Sequence, residues 1–242
     1  MVWHDLLFAH WPVPSSALNE FIPPGLELET FDGSAWLGIV PFRMTGIRHR
    51  LLPAIPGASA FPELNVRTYV RDQSGRSGVW FFTLDATHRL AVRIARLTYH
   101  LAYTNAAMSC ERRDGWVHYS SRRTGPHTSL AVGLARSPHA EFVARYRPLP
   151  GSPTLSPSPG SLEHFLTSRY CLYAFAHATL YRAEIDHAPW PLCAAEARIE
   201  RCTVGEPLGL SRTHLSQDGR FPLLYFSERL DVVAWLPERI SP

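Results

Sequence analysis

ELNVRTYV (63–70), the turn DQSGRSG (72–78) and VWFFTLDA (79–86) are the stretch on which the fold turns. β-Branched and aromatic residues on both sides of a Gly/Ser loop predict an antiparallel hairpin. Period-2 geometry puts Glu63, Asn65, Arg67 and Tyr69 on one face of the first strand, and Leu64, Val66, Thr68 and Val70 on the other. VWFFTLDA carries bulk on both faces, which predicts a central strand covered from both sides. Asp85, near its end, reads as a turn or helix cap ahead of His88.

Working outward, LELETF (26–31) and SAWLGIVPF (34–42) read as strands around Asp32-Gly33, a pair that tolerates the positive φ of a hairpin turn. The Pro- and Gly-rich stretch 43–62 reads as loop. HRLAVRIARL (88–97) switches to helical spacing, with Leu90, Ile94 and Leu97 on one side and Arg89, Arg93 and Arg96 on the other. Further strands are expected at roughly 106–113 and 116–123 around Asp114-Gly115. HAEFVARY (139–146), RYCLYAF and TLYRAEI on either side of 176–178, AEARIE (195–200), PLLYFSE and LDVVAWL complete the set. ALNEF after Ser15-Ser16 and SLEHFLTS (161–168), capped by Ser161, predict short helices. About a dozen strands with two or three helices predict a mainly β antiparallel barrel or sandwich carrying its helices outside. PLPGSPTLSPSPG (148–160) reads as a surface loop crossing one domain of residues 1–242, because the strands on either side are too few to close two cores.

Composition narrows the function classes. Of 242 residues, 45% are hydrophobic and 19% charged, and a chain this long buries roughly 70–75% of its unfolded surface without needing disulfides or metal. All 24 basic residues are arginine; there is no lysine. The net charge of +3 is spread along the chain, unlike the clustered phosphate-neutralising patches of nucleic-acid binders. VWHDLLFAHWPVP lacks a basic n-region, and no run of 18 apolar residues occurs, so neither export nor membrane spanning is expected and a cytoplasmic location is. The four cysteines show no CxxC, and the histidines show no HxH or HExxH. Reduced thiols and no metal site are therefore expected. GxSxG, Walker and Gly-rich phosphate loops are absent, and no cofactor is implied.

Two stretches carry candidate chemistry. Glu63 and Arg67 lie four residues apart on one strand, about 13 Å by rise per residue, too far to pair directly. Their face is either solvated or a cavity wall, where Arg67 reads a carboxylate with its fork and Glu63 serves as acid or base. GSLEHFLTSRYCLY (160–173) gathers Arg169, Cys171 and Tyr173. Arg169 is a candidate anion holder and Tyr173 a ligand contact, while Cys171 is a nucleophile only if a cation lowers its pKa and otherwise an inert buried thiol. HWPV (10–13) and HAPWPL (187–192) read as rigid corners plugging a barrel end.

These blocks, in this order from Trp3 to Trp235, resemble the uncharacterised YqjF-like family, which is grouped with the acetoacetate decarboxylase superfamily. The resemblance implies one domain, an antiparallel cone-shaped β barrel with peripheral helices and an interior pocket, with Glu63 matching the pocket glutamate. Decarboxylases of that superfamily form a Schiff base on a lysine. A lysine-free chain cannot, and arginine, always protonated, is no substitute. Two functions stay open. One is a barrel binding a small carboxylate- or carbonyl-bearing metabolite through Asn65, Arg67, Tyr69, Arg169 and Tyr173. The other is a non-Schiff-base lyase, hydratase or isomerase of a keto or enol acid, with Glu63 as proton shuttle. A structural or assembly role is favoured instead if the main apolar surface lies outside the barrel, and a homo-oligomer is left open.

Overall fold

The computed structural model describes residues 1–47, 60–124, 139–208 and 222–240. The alternating stretch and its partner form the predicted hairpin, with Glu63 opposite Ala86 and Arg71 opposite Ser77. In chain order the elements are β1 (Val2–Val13), α1 (Ser16–Asn19), β2 (Leu26–Leu28), β3 (Ala35–Thr45), β4 (Phe61–Asp72) and β5 (Ser77–Ala86). They continue with α2 (Arg89–Tyr99), β6 (Tyr103–Arg113), β7 (Trp116–Arg123), β8 (Glu141–Pro148), α3 (Leu162–Thr167) and β9 (Cys171–Ala176). β10 (Thr179–His187), β11 (Cys193–Cys202), β12 (Leu223–Ala234) and β13 (Glu238–Ile240) follow.

Strand pairing closes the sheet on itself twice. One ring runs β5-β6-β7-β8-β11-β12-β1-β3-β4 and returns to β5, a closed nine-strand barrel. A smaller ring of seven leaves β5 through β9 and β10 and rejoins at β12. Both share the wall β12-β1-β3-β4-β5, so each shared strand shows one face to each ring. β1 accordingly sends Leu7, Ala9 and Trp11 to one core cluster and Leu6 and Phe8 to another. β5 is the doubly covered strand its bulk predicts, paired with β4, β6 and β9. Among the described residues, no helix is long and apolar enough to cross a membrane.

Several local expectations change. The Asp32-Gly33 turn forms, with φ of 49° and 75°, but it closes only the bridge between Phe31 and Ser34. β2 pairs with β4 instead of β3, on the Val70–Asp72 end of β4, past Arg67, where the β3 pairing stops. HWPV is the end of β1, not a corner. PLLYFSE and LDVVAWL are one strand, β12. The expected loop 43–62 shortens at both ends, β3 running through Thr45 and β4 starting at Phe61; residues 48–59 lie outside the described set. α2 forms, yet its apolar side faces outward, with Leu90, Ile94 and Leu97 exposed by 51%, 46% and 68%. The helix is held instead by Val92, buried against the Phe61 and Ala86 cluster, and by Arg96, whose Nε donates to the Tyr103 carbonyl at 2.7 Å.

Gly78 marks the tightest joint, where β5 meets β9. A Cβ there would stand 2.6 Å from Tyr173 Cε2, 2.7 Å from Cys171 Sγ and 2.8 Å from the Cys171 carbonyl oxygen. Gly78→Ala is therefore expected to destabilise the protein by about 1–3 kcal/mol. An unchanged urea midpoint would show that β9 moves aside at no cost.

Candidate functional site

β4 is in unbroken register with β3 from Phe61 to Arg67, so Glu63, Asn65, Arg67 and Tyr69 share one face. That face looks into the seven-strand ring. Arg67 stacks over Phe8 and Tyr69 at 5.4 and 5.7 Å, while Leu84, the partner of Asn65 across β5, packs with Leu172, Ala174 and Ala183 of β9 and β10. All four polar residues are buried, so the face is an interior wall and not one turned to bulk solvent.

Arg67 is the electrostatic anomaly. No carboxylate among the described residues pairs with it. Its described hydrogen bond, to the Leu166 carbonyl, is 3.5 Å long, at the limit for such a bond, and its Nε has no partner. Beside it, His10 Nε2 and the Tyr69 hydroxyl share a 2.6 Å hydrogen bond, and His10 Nδ1 and Asn65 Oδ1 are unpartnered. Burial, aided by the Arg67 charge, pushes the His10 pKa well down, so the ring is neutral at pH 7 and Arg67 is the fixed charge. Gly38 makes this convergence possible: a Cβ there would lie 3.1 Å from His10 Nε2 and 3.2 Å from Arg67 Cγ.

Glu63 closes one end of the row. Burial raises its pKa to about 8; the Tyr103 hydrogen bond opposes that shift and the Asp85 charge adds to it. The Tyr103 hydroxyl donates to Glu63 Oε2 at 2.8 Å, and the Tyr119 hydroxyl donates to the Glu63 carbonyl at 2.6 Å. Glu63 is thus a neutral acid at pH 7. Asp85 lies on the nine-strand face, where Arg123 Nε donates to it at 2.8 Å and Ser121 Oγ at 3.3 Å. It is a buried ion-pair partner and not a cap; His88 caps α2, its Nδ1 accepting from Ala91 N at 3.2 Å.

The remaining candidates divide. Arg169 borders the row, its guanidinium 5.0 Å from the Tyr69 ring, but it is already ion-paired with Glu29. Tyr173 lies on the opposite face of β9, its hydroxyl donating to the Arg76 carbonyl at 2.8 Å, so it is not part of this group. Burial raises the Cys171 pKa, which leaves an inert thiol. Trp190 of HAPWPL packs inward against Phe8, 4.8 Å between centroids. The sequence reading missed His10, Gly38 and Tyr103. Only His10 left a signal, its alternation with Leu6 and Phe8. Among the described residues no three His, Cys, Asp or Glu side chains form a metal-ligand group.

The double-ring architecture is that of acetoacetate decarboxylase-like proteins. The structure superposes with TM-score 0.63 and 14% identity on an acetoacetate decarboxylase-like enzyme from Sphingomonas wittichii, covering 99% of this chain and 92% of that one. It superposes with TM-score 0.60 and 10% identity on an acetoacetate decarboxylase from Legionella pneumophila, covering 99% and 87%. The enduracididine biosynthesis enzyme MppR, complexed with pyruvate, matches with TM-score 0.60 and 14% identity over 97% and 88%. At these identities the likeness shows the fold alone. In sequence, the chain is 42% identical to the uncharacterized protein YqjF of Bacillus subtilis over 233 residues, 96% of this chain and 88% of that protein. Residues 1–231 match the model of DUF2071, a family of uncharacterized conserved proteins, and the chain belongs to that family.

The raised Glu63 pKa has a defined consequence for stability. Unfolded glutamate ionises near 4.5 and the folded group near 8, so the folded state holds the proton more tightly. Its stabilising effect is full below pH 4.5, is lost as the pH rises towards 8, and the loss is complete above that. Glu63→Gln, which cannot ionise, is expected to remove a part of that loss on the order of a few kcal/mol. Urea unfolding at pH 5 and pH 8.5 measures it. Equal losses in the parent and Gln chains would mean that Glu63 ionises at its ordinary pKa.

Proposed function

We propose that this protein binds a small metabolite bearing a carboxylate and a carbonyl, hydroxyl or enol group in the seven-strand ring, with Arg67 holding the carboxylate. One observation carries the reading: Arg67 is a buried cation with no carboxylate partner among the described residues. A buried charge is expensive unless paired, and the guanidinium fork is the geometry that takes a carboxylate in two hydrogen bonds. Asn65 Oδ1 and His10 Nδ1 lie on the same wall, ready to pair with the ligand's remaining polar groups. Arg169 flanks the Tyr69 end. We take residues 1–242 as one domain, since neither ring can close without the shared five-strand wall.

A second reading, catalysis without a Schiff base, is favoured by Glu63 itself. A carboxylic acid that stays protonated at pH 7 beside a tyrosine hydroxyl can deliver a proton to an enolate, and the carboxylate left by that step can then take one from a carbon next to a carbonyl. This describes a lyase, hydratase or isomerase of a keto or enol acid, with Glu63 as acid/base and Arg67 as clamp.

Calorimetric titration with pyruvate and longer 2-keto and 2-hydroxy acids tests the binding reading, pyruvate being the molecule bound by one of the structural neighbours. Arg67→Met is expected to weaken binding by about 10- to 100-fold, the range of one charge-assisted interaction. It should hold or raise the thermal midpoint, because an uncompensated buried charge is removed at similar volume. Undiminished binding in the Met variant would refute the role given to Arg67.

A further inference from the structure

We propose that the open mouth of the nine-strand ring is a second ligand site, taking a small organic anion with an apolar body. This inference is independent of the seven-strand site. A cleft of about 790 Å³ lies there, bounded by Arg43, Cys110, Arg112, Cys193, Phe226 and Arg229 among others, and it touches neither Glu63 nor Arg67.

The rim is built around Asp5. This residue is buried and holds φ at 57° in the middle of β1, where the register with β3 slips between His4 and Ala9. A left-handed non-glycine residue inside a strand is strained, and a bulge re-aims the side chains beside it. Here it lets the consecutive residues His4 and Asp5 both reach the cleft. The Asp5 carbonyl accepts from the Tyr146 hydroxyl at 2.8 Å, which holds the bulge from below. Its carboxylate accepts from Arg112 Nε at 2.6 Å.

The charge around the rim is unevenly matched. Three guanidiniums, Arg43, Arg112 and Arg229, face two carboxylates, Asp5 and Glu228. Arg112 serves both of them, reaching Glu228 at 3.2 Å. Among the described residues Arg43 pairs with Asp5 alone, at 3.6 Å, too far for a hydrogen bond. Arg229 reaches the exposed Asp231 at 3.3 Å, a contact that solvent screens. The donors of Arg43 and Arg229 are thus available to an anion.

The walls below the rim are apolar. Phe226, Pro148 and Pro191 contribute flat surfaces. Burial pushes the Cys110 thiol up to about 12 and raises that of Cys193, so both stay uncharged and add no repulsion. Cationic donors over an aromatic and thiol floor select neither a bare inorganic anion nor a neutral hydrocarbon. They suit a carboxylate carried on a ring or short alkyl chain.

Calorimetric titration of the full chain with benzoate tests this, with inorganic phosphate and benzyl alcohol as probes of each half of the requirement. Benzoate is expected to bind saturably and at least tenfold more tightly than either. The double variant Arg43→Gln/Arg229→Gln, and separately Thr154→Trp on the exposed loop wall, should each weaken it at least fivefold. Arg67→Met should leave it unchanged. Absence of saturable binding, or binding untouched by both cleft variants, overturns the proposal. Loss in Arg67→Met alone would move benzoate to the interior site and also overturn it. Phosphate binding as tightly as benzoate would refute the apolar component.

Discussion

A wall of five neighbouring strands shared by two rings is the constraint from which the rest of the structure follows. β12, β1, β3, β4 and β5 belong to both rings, so a side chain buried in the middle of that wall must be packed or paired. For apolar residues this is met by contact, as Leu64 and Val66 meet the nine-strand core on one side of β4. For polar residues the same position removes water as a partner and lowers the local dielectric, which strengthens satisfied pairs and penalises unsatisfied groups.

The two faces of the wall meet that demand differently. On the nine-strand side, Asp85 and Arg123 are both buried and bonded to each other, with Ser121 and Thr83 completing the cluster. The charge on that face is paired within the protein, although Arg123 Nη1 keeps no hydrogen-bond partner. On the seven-strand side Arg67 has aromatic rings above and beside it and one long contact to a carbonyl. Cation–π contacts contribute about 0.5–2 kcal/mol, less than the desolvation of a guanidinium. A fold able to build an internal ion pair on the other face of the same wall leaves this cation without a carboxylate partner among the described residues, and that contrast is what supports the proposed placing of a ligand anion in the seven-strand interior.

The hairpin on 63–86, its polar face and the doubly covered β5 were legible because alternation is local: it depends only on neighbours along one strand. What the polar face looks at was not legible, since that depends on β9 and β10 arriving from a hundred residues downstream. His10 was hidden for the same reason, as its meaning comes from Gly38 and Arg67 lying beside it across two strand pairings. Tyr103 sits at the start of β6, before the alternating part, and only the parallel pairing with β5 brings it to Glu63. Asp85 was misread because a carboxylate before a helix is the pattern of a cap, and the pattern does not reveal Arg123 on the far side of a barrel. α2 misled in the opposite direction: its period is right, but a helix can be anchored by one valine and one arginine while its apolar stripe stays outside.

The absence of lysine narrows the chemistry beyond excluding a lysine Schiff base. In the seven-strand site Arg67 supplies a guanidinium charge, and His10 is kept neutral by burial and by that charge. The Tyr69 and Tyr103 hydroxyls are pushed up by burial. Glu63 alone, with its pKa near 8, can gain or lose a proton close to neutrality. A carboxylate ligand on Arg67 would bring a negative charge into the same buried interior, and like charges disfavour ionisation, so ligand binding would hold the Glu63 proton in place rather than release it. If the protein has a reaction, Glu63 therefore enters it as the acid, and the base form arises only after the proton has moved to the ligand.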